Sequence, residues 1–280
     1  MKKNITLPAL ALVGGLAGFV LRRWQLSSAF DPDSGLFAHG SPATYGLMVV
    51  TTLIIALIAV LLRGPVAAPK DFLSAFGCPQ AGQMTILAAS GLLFIVAGLL
   101  GLREGLELLQ LWKISPDRIQ VTYPAARLLT AALCLPTGGE VLLMGRGGYR
   151  GQMPATMVCL APVPALVGLV WLFATHLENG VSPILMKYGF SLSAAAALML
   201  AHYYVAGFFF GRQRPRPCLF WALTGVVLGL ISLADGLTLA VTVLTVAFVL
   251  SSLGSSFALL GNCFASSQIQ RPVNEDNRTI

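Results

Sequence analysis

The sequence has little charge. Lysine and arginine number 18 and aspartate and glutamate 11, so that 29 of 280 residues are charged, whereas a soluble domain carries roughly a quarter. Apolar residues make up 56% of the chain, and its mean hydropathy is +0.79. A soluble protein of this length could not cover its surface with so few polar groups. The composition therefore excludes a soluble enzyme, a disordered chain and a nucleic-acid-binding domain, and it indicates a protein that lies in a lipid bilayer.

The usual sequence marks of catalysis and of metal or cofactor binding are also missing. The chain has no nucleotide-binding loop and no GxSxG, HExxH or paired-carboxylate motif. Its cysteines form no CxxC, and its histidines are scattered without a second ligand nearby. We expect no metal site and no cofactor. An enzyme is less expected than a binding protein, although an intramembrane enzyme needs only a few polar groups.

Long apolar runs dominate the chain instead. A helix needs about 20 residues, at ~1.5 Å rise each, to cross a hydrocarbon core of ~30 Å. None of the runs alternates apolar and polar residues as the strands of a membrane barrel do, so each is predicted to be a helix. The predicted spans are Ile5–Leu21, Thr44–Leu62, Met84–Leu102, Tyr123–Met144, Ala155–Phe173, Ile184–Phe210, Cys218–Ala234 and Leu237–Phe264. The expected fold is all-α, a polytopic membrane helix bundle with about eight transmembrane helices.

Turn-forming residues separate the predicted spans. Ser41-Pro42 is typical of a helix start, and Asp235-Gly236 is the only break between spans seven and eight, which predicts a tight hairpin. No connection is long enough for a soluble domain. Residues 1–265 are therefore expected to form a single transmembrane helix-bundle domain, followed by a disordered cytoplasmic tail at 266–280. Spans four and five contain prolines, so seven spans are the alternative if one of the two is re-entrant.

Basic residues are divided unequally between the two sides of the predicted bundle. The side that holds both termini has 11 of the 18 lysines and arginines, the other side has six, and Arg127 lies inside span four. The positive-inside rule then predicts that the N-terminus and the C-terminus are both cytoplasmic. Arg22-Arg23 at the opposite end of span one is the main exception. Lys2-Lys3 before an apolar run resembles a secretory signal, but the run is long enough to span and is expected to be retained.

Two neighbouring spans combine helix-weakening residues with one acid. The residues concerned are Pro136, Gly138, Gly139 and Glu140 in span four and Pro162 and Pro164 in span five. Proline removes a backbone donor and glycine makes a helix easy to open. Interrupted helices at membrane depth point to a polar site, such as a ligand or ion pathway. The alternative is a kinked helix from which Glu140 reaches the basic interface.

Two further ionisable residues lie inside predicted spans. His202 is deep in span six, and its depth differs from that of Glu140 by only about 5 Å at ~1.5 Å per residue, so the two could meet. Histidine titrates near neutral pH and could relay protons or bind a ligand. It could equally be a neutral side chain that is hydrogen-bonded to a neighbouring helix. Arg127 is about 20 Å from Glu140 along span four, so it is expected to reach the interface by snorkelling.

Segments beyond the spans, and the small residues within them, lead to weaker expectations. Residues 103–113 are predicted to be an amphipathic helical extension on the head groups, and Arg22–Gly40 a lid, a docking loop or an aromatic-anchored interfacial loop. Asp235 is expected to be a turn residue.

Glycine pairs four residues apart, such as Gly14 and Gly18, permit close helix contact. They fit packing within the chain better than an oligomer interface.

The beginning of the chain resembles a group of uncharacterised multi-pass membrane proteins of Gram-positive bacteria. The similar residues are Leu21-Arg22-Arg23-Trp24-Gln25-Leu26, Phe30-Asp31, Gly35-Leu36 and Pro42-Ala43-Thr44, about 25 of the 280. The resemblance implies a plasma-membrane location. It implies no activity and no catalytic residues.

Three classes of function fit these observations. The first is a non-enzymatic binding or structural membrane component or subunit, with a membrane protein partner or as a homo-oligomer. It is favoured by the scarcity of intramembrane charge. The second is a small-solute carrier or channel that uses broken helices four and five with Glu140 and His202. The third is an intramembrane enzyme that uses the same residues.

Overall fold

Helices make up almost all of the computed structural model, which describes residues 3–31, 34, 36–117, 119–179 and 185–264. These residues contain no β-strand, only an isolated bridge between Phe30 and Phe37. The helices are α1 (Lys3–Ser28), α2 (Pro42–Leu61), α3 (Phe72–Phe76), α4 (Ala81–Ile114), α5 (Thr122–Arg150), α6 (Met157–Leu160), α7 (Val163–Asn179), α8 (Leu185–Gly207), α9 (Pro215–Ser232) and α10 (Leu239–Phe264). Single 3-10 turns, Phe208–Phe210 and Leu233–Asp235, extend α8 and α9.

Eight helical segments of this part of the chain are long and apolar enough to cross a membrane. They are Ile5–Ser28, Pro42–Leu61, Ala81–Ile114, Thr122–Arg150, Met157–Asn179, Lys187–Phe210, Pro215–Asp235 and Leu239–Phe264. The prediction of an all-α polytopic bundle with eight spans is therefore confirmed. The tail expected at 266–280 lies outside the described residues, as do Lys2, Arg118, Arg271 and Arg278, which contributed to the predicted sidedness.

Several helices, among them α1 and α4, continue past the predicted ends of their spans. Span one was predicted to end at Leu21, but α1 runs through Ser28, so the first part of the expected loop Arg22–Gly40 is helical. A charged residue ends an apolar run but not a helix, because Arg22 finds its partners inside the protein. The prediction of a helical extension at 103–113 is confirmed, since α4 is continuous to Ile114.

The structure also resolves the two proline-containing spans. α5 is one continuous helix through Pro136, Gly138 and Gly139, so the predicted break in span four is wrong. Pro136 is exposed on the bundle surface. Span five is interrupted only near its start, where the turn Ala161-Pro162 separates α6 from α7. Proline is tolerated there because the first turn of a helix has no intrahelical use for its N–H.

Small residues bring α4 and α5 into close contact along most of their length. Gly91, Gly98 and Gly105 recur every seven residues on α4, and they face Gly138, Ala131 and Leu128 of α5. A Cβ atom added to Gly138 would lie 2.6 Å from the Gly91 carbonyl oxygen. The glycines let the backbones approach in the absence of any hydrophobic drive between helices in lipid. The pairs Gly14–Gly18 and Gly225–Gly229 also pack against neighbouring helices of the same chain, on Ile54, Ile231, Leu198 and Val249.

The last two spans form the centre of the bundle. In α9 and α10, 72% of the most apolar stretch is buried, against 17% in α2, which lies at the periphery. The turn between them carries Gly236 at φ +70°, in the left-handed region that favours glycine. This places Asp235 and the start of α10 at the same end of the bundle as the end of α1.

Candidate functional site

Glu140 is enclosed by protein. Glu140 is 2% exposed, and its Oε2 atom is buried without a hydrogen-bond partner in the described part of the chain. Gly138 faces α4, and two residues along a helix correspond to about 200° of rotation. Glu140 is therefore on the side of α5 that is turned away from α4. The alternative sequence interpretation expected the Glu140 carboxyl group to reach the basic interface. The structure buries this group inside the protein instead.

His202 is also buried, at 4% exposure, but its ring is fully engaged. Nδ1 lies 2.9 Å from the Leu198 carbonyl oxygen and Nε2 lies 3.1 Å from Ser251 Oγ on α10. A carbonyl oxygen only accepts, so Nδ1 donates and Nε2 is left to accept from the serine hydroxyl. This is the bond to a neighbouring helix that was one of the two expectations for this histidine. The described contacts do not join it to Glu140.

Aromatic rings fill the space around His202. Phe248 packs edge-on against His202 and Phe94, with centroid distances of 4.9 and 4.8 Å, and stacks on Trp171 at 5.6 Å. Phe248 and Phe94 are fully buried. The cavities described below are lined by neither His202 nor Glu140. The ring of His202 is therefore packed among aromatic side chains, and Glu140 is buried.

The other predicted site residues are spread over the molecule. Gly138 lies in the α4–α5 contact, whereas a Cβ atom at Gly139 would meet nothing within 4 Å. Pro164 is buried in the first turn of α7, and Pro162 lines a surface recess. The structure does not bring these prolines and glycines together with Glu140 and His202 into one pathway.

A buried ion pair joins the ends of α1 and α9. Arg22 is 0% exposed, and its Nε donates to Asp235 Oδ1 at 2.7 Å. Its Nη1 donates to Gln25 Oε1 at 2.6 Å and its Nη2 to the Lys187 carbonyl oxygen at 2.9 Å. Ser191 donates to Asp235 Oδ2 at 3.1 Å. The expectation for Asp235 was incomplete, because this turn residue also neutralises a buried guanidinium group.

A second ion pair lies on the other flank of the same turn. Arg127 Nη2 donates to Glu104 Oε2 and to Thr238 Oγ1, each at 3.0 Å. The other oxygen of Glu104 accepts the Ala240 N–H at 3.0 Å, in the first turn of α10. Arg127 is 8% exposed. It is buried and paired with a carboxylate, a contact that the prediction of snorkelling did not include. We call this end of the bundle, with Arg22, Glu104, Arg127 and Asp235, the paired end.

The opposite end, which we call the basic end, has a different chemistry. The arginines that the structure describes at this end are exposed, and they are Arg63, Arg146, Arg150, Arg212, Arg214 and Arg216. Among the described residues outside the spans, Asp71 is the only carboxylate there. It caps α3 by accepting from the Ser74 N–H at 2.8 Å. That backbone hydrogen bond, with a second one from the serine side chain, holds the pKa of Asp71 below its ordinary value.

Described residues line three cavities at the basic end. A small one of about 10 Å³ lies between α4, α5 and α10, with Gln83 and Ser255 in its wall, and is large enough for about one water molecule. Two larger recesses open on the bundle surface. One, of about 490 Å³, lies beside Arg63 and Arg216, and the other, of about 570 Å³, lies beside Arg212 and Arg214. Tyr204 belongs to the walls of both.

Within the described ranges, no three His, Cys, Asp or Glu side chains are grouped so that they could hold a metal ion. Comparison of the chain with protein-family models, with curated proteins and with solved structures gave no match. The function must therefore be argued from the geometry of this molecule alone.

Proposed function

We propose that this protein is a non-enzymatic binding or structural component of a membrane, and that its ligand or partner contacts its surface rather than a pathway through its core. The engagement of His202 carries the proposal. Both ring nitrogens are used by Leu198 and Ser251, and the ring is packed against Phe248. A proton relay or solute site at this histidine would need a ring nitrogen without a protein partner and space beside the ring for water or the solute. The large recesses instead open at the bundle surface.

We also propose that both termini are cytoplasmic and that the protein resides in the plasma membrane of a Gram-positive bacterium. The six exposed arginines of the basic end support this orientation through the positive-inside rule. The pair Arg22-Arg23 is the main exception to this distribution. Arg22 is buried and neutralised by Asp235, so it contributes little free charge on the opposite side. The resemblance in residues 21–44 supports the location.

Water access to the core tests the binding role. Cysteine is introduced at position 140 or at position 202 of a chain whose own cysteines are replaced, and membranes are treated with an impermeant thiol reagent. We expect no labelling at either position, because both side chains are buried. Ser34→Cys, at an exposed residue, is the labelled control on the predicted outer side. Rapid labelling at position 140 would contradict a packed core.

Mild-detergent purification tests the same proposal from the outside. A binding or structural component should keep a stoichiometric companion chain, a second copy of itself or a bound lipid. A lipid-free, monodisperse monomer with no companion would count against the proposal.

A carrier or channel remains the second candidate because of one observation. Glu140 Oε2 is buried without a hydrogen-bond partner in the described structure, and such a group has a cost that function often explains. If Glu140 carries protons, proteoliposomes with a trapped pH dye should show a proton flux that Glu140→Gln abolishes. Glu107→Gln, an exposed site, is the matched control. Equal flux in wild type, in both variants and in empty liposomes would remove this candidate.

A further inference from the structure

The recess beside Arg212 and Arg214 has the dimensions of a ligand site. Its volume is about 570 Å³, within the roughly 300–1,000 Å³ that is typical of small-molecule pockets. The start of α7 forms one wall with Pro162 and Ala165, and the end of α8 forms the other with Tyr203. The break between α6 and α7 lies at this recess, so the helix interruption that predicted a polar site marks a surface recess rather than a pathway.

Its charge is of one sign. Arg212 and Arg214 line the recess, and none of the described residues that line it is a carboxylate. Both arginines are exposed, and neither side chain makes a hydrogen bond or an ion pair with another described residue. A guanidinium group presents several N–H donors in a plane that matches the oxygens of a phosphate group. The recess therefore presents free phosphate-binding groups.

Its position places those groups at the depth of lipid head groups. The span that contains α8 ends at Phe210, and the next begins at Pro215, so Arg212 and Arg214 lie between two membrane crossings. Below them the recess is bounded by apolar and aromatic side chains, among them Ala165 and Tyr203. Tyrosine is typical of the membrane–water interface. A ligand with an anionic head and an apolar tail fits this arrangement better than a fully polar one.

We propose that this recess binds an anionic phospholipid, with Arg212 and Arg214 on the head-group phosphate and the beginning of an acyl chain beside Ala165 and Tyr203. The proposal rests on the binding role above and names the chemical class of one ligand. The neighbouring recess differs in the use of its arginine, because Arg216 Nη2 there donates to the Gly64 carbonyl oxygen. That arginine holds the loop after α2, whereas Arg212 and Arg214 are available to a ligand.

Native mass spectrometry of the full-length chain tests the proposal. The protein is purified in detergent and titrated with phosphatidylglycerol or, as a neutral reference, phosphatidylcholine. Each basic residue near an anionic surface contributes roughly fivefold to binding. We therefore expect Arg212→Gln with Arg214→Gln to weaken phosphatidylglycerol binding by about tenfold or more, with phosphatidylcholine binding unchanged. The matched control is Arg146→Gln with Arg150→Gln, two exposed arginines of the same end that do not line the recess.

A steric variant provides an independent measurement. Ala165→Trp fills the recess without a change of charge, and Leu166→Trp adds the same ring at the next residue, which is exposed outside the recess. The first should lower phosphatidylglycerol binding and the second should not. An equal loss in the two arginine pairs, or no loss in Ala165→Trp when that variant is monodisperse, would overturn the proposal, since the lipid would then respond to surface charge alone.

A soluble competitor distinguishes a lipid from free phosphate. Glycerol phosphate carries the head-group phosphate without acyl chains, and it should not displace phosphatidylglycerol at concentrations that saturate the protein with lipid. Displacement at equal concentration would overturn the assignment to a lipid. These outcomes are independent of thiol labelling at position 140, so the failure of the ligand assignment and the failure of the binding role can be told apart.

Discussion

The two ends of the bundle use the same residue, arginine, in opposite ways. At the paired end, Arg22 and Arg127 are 0% and 8% exposed and each contacts a carboxylate. At the basic end the arginines are exposed, and the one carboxylate outside the spans there, among the described residues, caps a helix instead of pairing with an arginine. A buried pair fixes the arrangement of helices, whereas an exposed guanidinium group can bind a molecule from outside. The paired end thus has a structural role, and we propose the binding role for the basic end.

The largest effect is expected from breaking the ion pair of Arg22. Arg22→Leu leaves Asp235 buried without its cation, which typically costs about 3–5 kcal/mol. The free energy of unfolding can be measured by denaturation in mixed micelles. Arg23→Leu, at the exposed neighbouring residue, should change it by less than about 0.5 kcal/mol. The double variant with Asp235→Leu should recover much of the loss, because no uncompensated charge remains; no recovery would mean that the pair acts through more than its charge.

A smaller loss is expected at the other flank of the turn. Glu104→Gln weakens the bond to Arg127 and the acceptor for the first turn of α10, and a hydrogen bond to a charged group contributes about 2 kcal/mol. Glu107→Gln is the control, since Glu107 pairs with Arg103 on the surface with side chains 59% and 80% exposed. Such exposed pairs contribute about 0–0.5 kcal/mol. Equal losses in the two variants would show that burial does not separate these pairs.

At the basic end, the cap of α3 should give a local effect of about 1 kcal/mol. Asp71→Ala removes the side chain that accepts from Ser74, and loss of such a cap costs about 0.5–2 kcal/mol. The folded-state pKa of Asp71 is lowered, so its contribution is present above the unfolded pKa of ~3.9 and is lost as the pH falls through the lower folded value. Hydrogen exchange at residues 72–76 should report this. Protection that is unchanged in the variant would exclude a role for the cap.

The smallest effect on stability is expected from the arginines of the recess. Arg212→Gln with Arg214→Gln should change the free energy of unfolding in lipid-free detergent by less than about 0.5 kcal/mol, because neither side chain makes a described hydrogen bond. The same denaturation measurement applies. A loss comparable to that of Arg22→Leu would mean that these arginines are structural, and the comparison between the two ends would fail.

The bundle itself could be predicted from the sequence because the length of an apolar run is a local property. Eight runs gave eight spans, and Asp235-Gly236 gave the turn between the last two. The ends were predicted less well. Span one continues past Arg22, since a charge that finds a partner inside the protein does not end a helix. Likewise α5 is continuous through Pro136, although a proline inside a helix removes one backbone donor.

The polar contacts could not be predicted, because they join residues far apart in the chain. Arg22 and Asp235 are separated by 213 positions, and no local pattern links them. One signal was present. Arg22 and Gln25 lie three residues apart, on one face of α1, and so indicate a polar partner. Glu140 and His202 lie at similar predicted depths, so contact between them was possible. Contact also depends on the direction in which each side chain points, and the depth of a residue does not determine that direction.

The turn between α9 and α10 has a consequence for the synthesis of the protein. Asp235 and Thr238 reach Arg22 and Arg127 only after the final hairpin has entered the bilayer. Until then Arg22 lacks its carboxylate partner, whereas Arg127 can already pair with Glu104 of α4. An unpaired cation inside the membrane costs about 2.5–3.5 kcal/mol. A copy that stops short of its last two helices would keep that defect permanently. Membrane quality control would thus have a chemical mark by which to recognise and degrade incomplete chains.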